Sequence, residues 1–346
     1  MSRLLTYAEA ISESLVLGLK QNPKAFIFGL GVNDHKGIFG TTKQAFNEFG
    51  SARVFDVPAA EGALTGIAIG AALNGQHPVL VHARNDFMFL ALDQMLNNAA
   101  KWSYTYNGQS RLPMIMRGII GQGWGQGPTH SQNLQSVLAH FPGLIVASPS
   151  NAFHLKGILL KAFETQSPVV VIEHRALYDE KEPVPEGWYT IDFGRAAVLH
   201  EGKDVTIVAT SVMAHLARKA ALALEPEGIS VEVIDPVTVQ PLDEKTILNS
   251  VAKTGRLICC EPGWLNCSVS SEVAALVAQK AFYALKAPVM RVGWPFCPAP
   301  VSKALEDAFY PTQQSIIQAV YHMLGIDKVA GTAHAAAAKE SFKGPY

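Results

Sequence analysis

The chain has 346 residues, of which 49% are apolar and 16% charged, and its formal net charge is −1. This length predicts two domains of about 150 residues each. No basic block or Lys/Arg stripe with interleaved aromatics indicates a nucleic-acid partner, and no apolar run reaches the roughly 18 residues needed to cross a bilayer. The first ten residues lack a secretory apolar segment, so we expect a cytoplasmic protein with no membrane partner.

Short apolar runs alternate with helical patterns in the first half of the chain. This alternation predicts an α/β domain with a mainly parallel sheet flanked by helices. The predicted strands are 25–29, 78–81, 113–116, 144–147 and 169–172, and the predicted helices are 6–19, 61–73, 87–101 and 153–164. Ser150 or Asn151 is expected to cap the last of these helices.

A change of composition at residues 178–188, with prolines, a glycine and several charges, is typical of a linker. A second α/β pattern follows, with strands at 205–209, 230–234, 257–260 and 289–292 and helices at 213–224, 246–253, 268–284 and 309–324. The predicted organisation is a domain at 1–180, a linker at 181–190, a domain at 191–326 and a tail at 327–346. The tail has low complexity, so we expect it to be mobile.

The four cysteines do not have the spacing of a zinc site. Cys259 and Cys260 are adjacent and lie in a strand pattern, which favours a role as small apolar core residues. We therefore predict no metal site on cysteine.

Glu61 is the only charged residue in the run 57–72, which is otherwise small and apolar except for a threonine. A carboxyl group among alanines and glycines pays a desolvation penalty and is ready to share a proton with a ligand. The glycines also let a flat ligand approach the backbone closely. The alternative is a helix N-terminus, where a glutamate sits favourably on the positive end of the helix dipole. This segment alone leaves both interpretations open.

Several segments together carry a family resemblance. Residues 53–61 (Arg-Val-Phe-Asp-Val-Pro-Ala-Ala-Glu) resemble the segment of transketolase-like proteins that carries the glutamate contacting thiamine diphosphate. Residues 66–75, 92–101, 127–132 and 261–264 resemble the beta subunit of the decarboxylating component of 2-oxoacid dehydrogenases, the pyruvate dehydrogenase type. The matches keep the family's order and spacing over about residues 1–325, and this ordered series is far more specific than any one motif. The resemblance implies a transketolase pyrimidine-binding domain followed by a transketolase C-terminal-like domain.

The resemblance also implies roles for three side chains. Glu61 would hydrogen-bond the pyrimidine ring of the cofactor, Phe87 would pack against that ring, and His130 would act on the keto oxygen of the substrate. Glu61 and His130 are therefore the predicted catalytic residues. Without the resemblance, Phe87 is most simply an ordinary core aromatic, and a lone loop histidine such as His130 is most simply structural or exposed.

The chain lacks the Gly-Asp-Gly…Asn segment by which this superfamily holds the diphosphate through Mg²⁺. The resemblance assigns that segment to a separate alpha subunit, in an assembly of two alpha and two beta subunits. The acyl group would then pass to a lipoyl group on a dihydrolipoyl acyltransferase. Two alternatives stay open at this point: a subunit of a split transketolase or acyloin-forming carboligase, and a non-catalytic scaffold.

Two positions depart from the family pattern in ways that concern bound ions and the cofactor's surroundings. Gly31 stands where family members have an acidic residue, and His154 stands where they have the aspartate of a structural potassium site. The potassium site is therefore left undecided.

A third departure lies at residues 82–86, His-Ala-Arg-Asn-Asp, which bring cationic groups toward the predicted site. His82 and Arg84 could bind a carboxylate or phosphate of the substrate. They could equally pair with Asp86. The identity of the 2-oxoacid cannot be read from the sequence.

Overall fold

The computed structural model describes residues 2–34, 36–123 and 125–330. The chain folds into two compact units: unit 1 comprises residues 1–121 and 137–193, and unit 2 comprises residues 122–136 and the residues from 194 onward. The tail predicted at 327–346 falls mainly on residues 331–346, outside the described residues. Within the described ranges, no helix is long and apolar enough to cross a membrane.

The strands are β1 Ser2–Thr6, β2 Ala25–Gly29, β3 Val54–Asp56, β4 His77–His82, β5 Met114–Ile120, β6 Ile145–Ala147, β7 Pro168–His174, β8 Lys181–Pro185, β9 Ala197–His200, β10 Val205–Ala209, β11 Val231–Asp235, β12 Thr238–Gln240, β13 Leu257–Trp264 and β14 Met290–Trp294. The α-helices are α1 Tyr7–Gln21, α2 Lys43–Phe49, α3 Glu61–Leu73, α4 Trp102–Thr105, α5 Gln135–Ala139, α6 Ala152–Glu164, α7 Val212–Leu224, α8 Glu244–Thr254, α9 Val269–Lys280, α10 Lys303–Phe309 and α11 Gln313–Leu324. The predicted α/β fold class is confirmed.

Unit 1 contains a parallel sheet with strand order β6-β7-β5-β4-β2-β3. Every residue of β4, β5 and β7 is buried, as expected for parallel strands covered on both faces. Because the strands are parallel, their carboxyl ends lie along one edge of the sheet, where such folds bind ligands.

Two helices on this sheet begin where local capping chemistry predicts. Thr6 and Glu9 form a capping box at the start of α1. The Asn151 side chain accepts a hydrogen bond from the backbone N–H of His154 and caps α6, so of the two predicted caps Asn151 is the one used. These caps fix where α1 and α6 begin, and the two helices pack against each other.

Unit 2 contains a five-stranded sheet with order β14-β13-β10-β11-β9, in which only β9 runs antiparallel to its neighbour. Cys259 and Cys260 lie buried on β13, which confirms their predicted place in the core. Burial raises the pKa of both thiols, so they stay protonated and unreactive at neutral pH.

Three element predictions need correction. The first half of the predicted linker is β8, which pairs antiparallel with β1 and buries Val184. The predicted helix over 87–101 is a 3₁₀ segment at Asn85–Ala91 followed by a π segment at Asp93–Ala99. The predicted helix over 309–324 begins only at Gln313, because Pro311 has no N–H to donate, and residue 309 is instead the last residue of the separate helix α10.

Candidate functional site

A pocket of about 80 Å³ opens at the carboxyl edge of the unit 1 sheet. Its walls come from the loop after β2, the start of α3 and the end of β4. The lining residues are Leu30, Ala59, Glu61, Leu64, Leu80, Val81, His82, Ala83, Arg84 and Phe87. The structure therefore brings four of the five predicted site residues together in one mainly apolar pocket.

Glu61 is the first residue of α3, so it combines both sequence interpretations: it begins a helix and it lines the pocket. The N-cap residue Ala60 offers no side-chain hydrogen bond, so the helix dipole and the pocket form the local environment of the Glu61 carboxyl group. The sequence predicts a deeply buried carboxyl group. In the structure Glu61 is only half-buried, because the first turn of the helix faces the open pocket.

Phe87 lies in the 3₁₀ segment after β4 and is half-buried, with its ring at the pocket. The next residue, Met88, is fully buried and packs against Gly118, where a Cβ would meet the Met88 sulfur at 2.5 Å. The 3₁₀ turn thus anchors Met88 in the core and leaves the ring of Phe87 beside the pocket.

His82 ends β4 and is 5% exposed. Burial lowers the pKa of His82 to about 4, so its imidazole is neutral at pH 7. Its Nε2 atom has no hydrogen-bond partner among the described residues. A buried polar atom without a partner in a residue that lines a pocket calls for an explanation, and a bound ligand is one.

Arg84 is half-buried, donates from Nη1 to the backbone oxygen of Ala83 at 2.8 Å, and places its Cζ 5.6 Å from the centre of the Phe39 ring. Arg175, which directly follows β7, places its Cζ 4.6 Å from the centre of the same ring and 4.9 Å from that of Tyr178. Sequence reasoning missed Phe39 and Arg175. The available signal was that Arg175 follows the end of a buried strand, as Arg84 does.

A buried polar network lies behind these groups. Arg117 on β5 donates to Glu173 on β7 through Nε at 2.5 Å and Nη2 at 2.9 Å, and both side chains are fully buried. Tyr178 donates to Glu173 at 2.7 Å, and Arg117 Nη2 donates to Thr41 at 3.1 Å. The network therefore joins two central strands to the loop that carries Phe39.

His130 belongs to unit 2, and within the described ranges it is not among the residues that line the pocket. It is half-buried, and its Nδ1 lies 2.9 Å from the hydroxyl of Thr129. The backbone N–H of His130 donates to the Gly127 oxygen at 3.4 Å. The local turn therefore orients the imidazole.

The rest of unit 2 holds the segment 122–136 at three points. The backbone N–H of Gly125 donates to buried Glu306 at 2.9 Å. The Asn133 amide donates to the Pro262 oxygen at 2.9 Å, and the Gln135 amide donates to Glu261 at 3.0 Å. Residues 261–264, one of the segments with the family resemblance, thus anchor the segment that carries the predicted active-site histidine.

The two departures from the family pattern have defined surroundings. Gly31 has φ +76°, which glycine adopts readily, and its N–H donates to Asp56 at 2.5 Å. His154 lies in the first turn of α6 with Nδ1 2.9 Å from the Asn151 oxygen, and burial lowers the pKa of His154 to about 4. Among the described residues, no group of three or more His, Cys, Asp or Glu side chains is placed to hold a metal ion.

Comparisons with known proteins match nearly the whole chain. The family model "Transketolase, pyrimidine binding domain" matches residues 4–181, and "Transketolase, C-terminal domain" matches residues 194–316. Acetoin:2,6-dichlorophenolindophenol oxidoreductase subunit beta of Bacillus subtilis (strain 168) is 36% identical over 337 residues, covering 94% of this chain and 98% of the relative. Pyruvate dehydrogenase E1 component subunit beta of Staphylococcus aureus (strain COL) is 37% identical over 315 residues, covering 91% and 97%.

Solved structures agree with this match. A split gene transketolase, described as an inactive beta4 tetramer, superposes with a TM-score of 0.74 at 26% identity and covers 94% of this chain and 99% of that chain. Transketolase from Leishmania mexicana has a TM-score of 0.69 at 18% identity, covering 96% of this chain and 47% of that one, which is evidence for the fold alone.

Proposed function

Because this chain belongs to the transketolase-like family of beta subunits of 2-oxoacid dehydrogenase E1 components, we propose that it acts as such a subunit and helps to decarboxylate a 2-oxoacid. The family depends on thiamine diphosphate. The observation that carries the proposal is the pocket that joins Glu61 and Phe87 at the carboxyl edge of the unit 1 sheet.

The pocket residues fit the pyrimidine ring of thiamine diphosphate. Leu64, Leu80 and Val81 form an apolar wall suited to a flat ring, and the aromatic ring of Phe87 lies beside it. Glu61 adds one carboxyl group to this wall, where it can share a proton with a ring nitrogen. When bound, the cofactor supplies a nucleophilic carbon for attack on the keto carbon of the substrate.

The chain's own residues would orient the reactants and manage protons. Glu61 would hold a proton at the pyrimidine nitrogen from its place on the first turn of α3, beside the pocket. Phe87 would fix the plane of the ring. His130, oriented by Thr129 and by the anchored segment 122–136, would hydrogen-bond or protonate the keto oxygen of the substrate.

The partners follow from the same proposal. An alpha subunit would hold the diphosphate and Mg²⁺ in an assembly of two alpha and two beta subunits, and a lipoyl group on a dihydrolipoyl acyltransferase would accept the acyl group. The names of the relatives favour this dehydrogenase-type activity over the carboligase and scaffold alternatives. The pyruvate-type, acyl-transferring reaction is the specific form that we propose.

The test begins with purification of the tagged chain from its native host in the presence of thiamine diphosphate and Mg²⁺. A stoichiometric partner should co-purify, and the complex should decarboxylate at least one 2-oxoacid. Glu61→Gln should lower kcat by about 100-fold or more, since this is the usual contribution of a positioned proton donor or acceptor. Glu186→Gln, at an exposed site of the same unit, is the matched control and should leave kcat unchanged. Equal turnover of Glu61→Gln and wild type would sink the assignment of Glu61.

A further inference from the structure

Arg84 and Arg175 come from the ends of two different strands and meet at one aromatic ring. Their Cζ atoms lie 5.6 Å and 4.6 Å from the centre of the Phe39 ring, so the two guanidinium groups are at most 10.2 Å apart. Two positive charges within this distance repel each other, and an anion near both is attracted by both. A planar guanidinium also matches carboxylate and phosphate oxygens through paired N–H donors.

The guanidinium group of Arg175 lacks a close acidic partner among the described residues. It forms no ion pair there, and its Nε is buried without a hydrogen-bond partner. Glu173, two residues earlier, is already occupied by hydrogen bonds from Arg117 and Tyr178. The Arg117–Glu173 pair is electrically balanced, so Glu173 does not compensate the charge of Arg175.

The loop that presents Phe39 is held in an unusual conformation. Ile38 and Phe39 have φ values of +45° and +57°, a backbone region that residues with a Cβ rarely adopt. Such strain persists only where the surroundings impose it. Here Arg117 donates to Thr41, two residues beyond Phe39, and fixes the loop from the buried side. The fold therefore holds in place the aromatic ring that both arginines contact.

One member of the arginine pair, Arg84, lies at the pocket of the proposed active site, whereas Arg175 and Phe39 are not among the described residues that line it. Arg84 lines that pocket together with Glu61 and His82. The Nε2 atom of His82 is buried and has no hydrogen-bond partner in the part of the chain that the structure describes. A ligand beside Glu61 therefore shares this pocket with the imidazole of His82 and the guanidinium group of Arg84.

We propose that Arg84 and Arg175 form an anion subsite that selects a 2-oxoacid whose far end carries a second anionic group, either a carboxylate or a phosphate. The link from this subsite to catalysis rests on the proposed function. The subsite itself rests on the two arginines, their shared ring and the unpartnered nitrogen atoms. It makes Arg84 and Arg175 determinants of specificity and leaves the proton chemistry to Glu61 and His130.

Ligand binding tests the subsite without any turnover. Isothermal titration of the tagged complex, with no thiamine diphosphate added, would compare 2-oxoglutarate, 3-phosphooxypyruvate and the uncharged-tail analogue 2-oxopentanoate. One of the two ligands that carry a second anionic group should bind at least about 10-fold more tightly than 2-oxopentanoate, because a charge-assisted hydrogen-bonded pair usually contributes that much. Tighter binding of 2-oxoglutarate would identify the anionic group as a carboxylate, and tighter binding of 3-phosphooxypyruvate would identify it as a phosphate.

Variants assign this preference to the arginines. Arg175→Met and Arg84→Met should each remove it, with a roughly 10- to 100-fold loss for the anionic ligand and little change for 2-oxopentanoate. Arg175→Lys should recover part of the loss, because a point charge remains but the fork of donors does not. Arg111→Met, at an exposed position of unit 1, removes the same charge and should have no effect. If urea unfolding shows that Arg175→Met is not folded, Arg84→Met decides the matter.

The outcomes separate the two proposals. Equal binding of the charged and uncharged ligands, or a preference that survives both methionine variants, overturns the subsite whatever the turnover. A preference that needs both arginines supports the subsite, even if no 2-oxoacid is decarboxylated after the cofactor is added. In that case only the proposed function fails.

Discussion

Breaking the buried ion pair of unit 1 should destabilise the fold strongly. Glu173 accepts two hydrogen bonds from Arg117 and one from Tyr178, and both charged side chains are fully buried. Glu173→Gln keeps the shape of the side chain but replaces one of its two acceptor oxygens with an NH₂ group. That NH₂ group cannot accept from Arg117 or Tyr178, so it faces another donor. The buried Arg117 charge is then uncompensated.

The expected cost of Glu173→Gln is about 3–5 kcal/mol, the range for removing one partner of a buried pair. For a unit of this size that corresponds to a fall of roughly 10 °C in the unfolding midpoint. Thermal and urea unfolding followed by circular dichroism measure it. Glu186→Gln makes the same chemical change at an exposed site and should change the unfolding free energy by less than about 0.5 kcal/mol.

A double variant tests the reasoning itself. Arg117→Met combined with Glu173→Leu removes both charges and fills the space with apolar atoms, so it should be more stable than Glu173→Gln alone. Wild-type unfolding of Glu173→Gln would show that the buried Arg117 charge is not left uncompensated. A double variant clearly less stable than Glu173→Gln would show the same.

Two further changes probe packing and pH dependence. Gly18→Ala on α1 should lower the free energy of unfolding by about 1–3 kcal/mol despite the helix propensity of alanine, because the new Cβ would lie 2.1 Å from the Phe163 ring. Gly70→Ala on α3 has open space at its Cβ and should instead raise the free energy of unfolding by about 0.5–1 kcal/mol. Equal urea midpoints for the two variants would contradict this expectation. Burial lowers the pKa of His77 to about 4 in the folded chain, against about 6.5 in the unfolded chain. The contribution of His77 to the free energy of unfolding is therefore fully present above pH 6.5 and falls by about 3 kcal/mol as the pH drops to 4. His77→Gln should flatten the dependence of unfolding free energy on pH in that window, and an unchanged slope would show that His77 does not titrate as inferred.

The sequence carried enough information for most of the sheet. Runs such as 78–81 and 169–172 are apolar throughout because parallel strands are covered on both faces, and they fall within β4 and β7. The strand β8 was missed because its residues, Lys-Glu-Pro-Val-Pro, include two prolines and two charges. What makes it a strand is pairing with β1, a contact between distant parts of the chain that local composition does not encode.

The candidate site was only partly predictable for the same reason. Glu61 and Phe87 stand in local motifs, and the structure places both at one pocket, although their roles stay predictions. Phe39 and Arg175 have no motif of their own. Their significance depends on a ring and two guanidinium groups brought together from three distant parts of the chain, which only the folded structure shows.

The grouping of residues 122–136 with unit 2 has a practical consequence for anyone who recombines domains of this family. A chimera cut at residue 193 would take the segment that carries His130 from one parent and the side chains that hold this segment, Glu261 and Glu306, from the other. The fused protein could fold and bind its cofactor yet misplace the imidazole. Exchanging residues 122–136 together with residues 194 onward would keep the histidine with the partners that hold its segment.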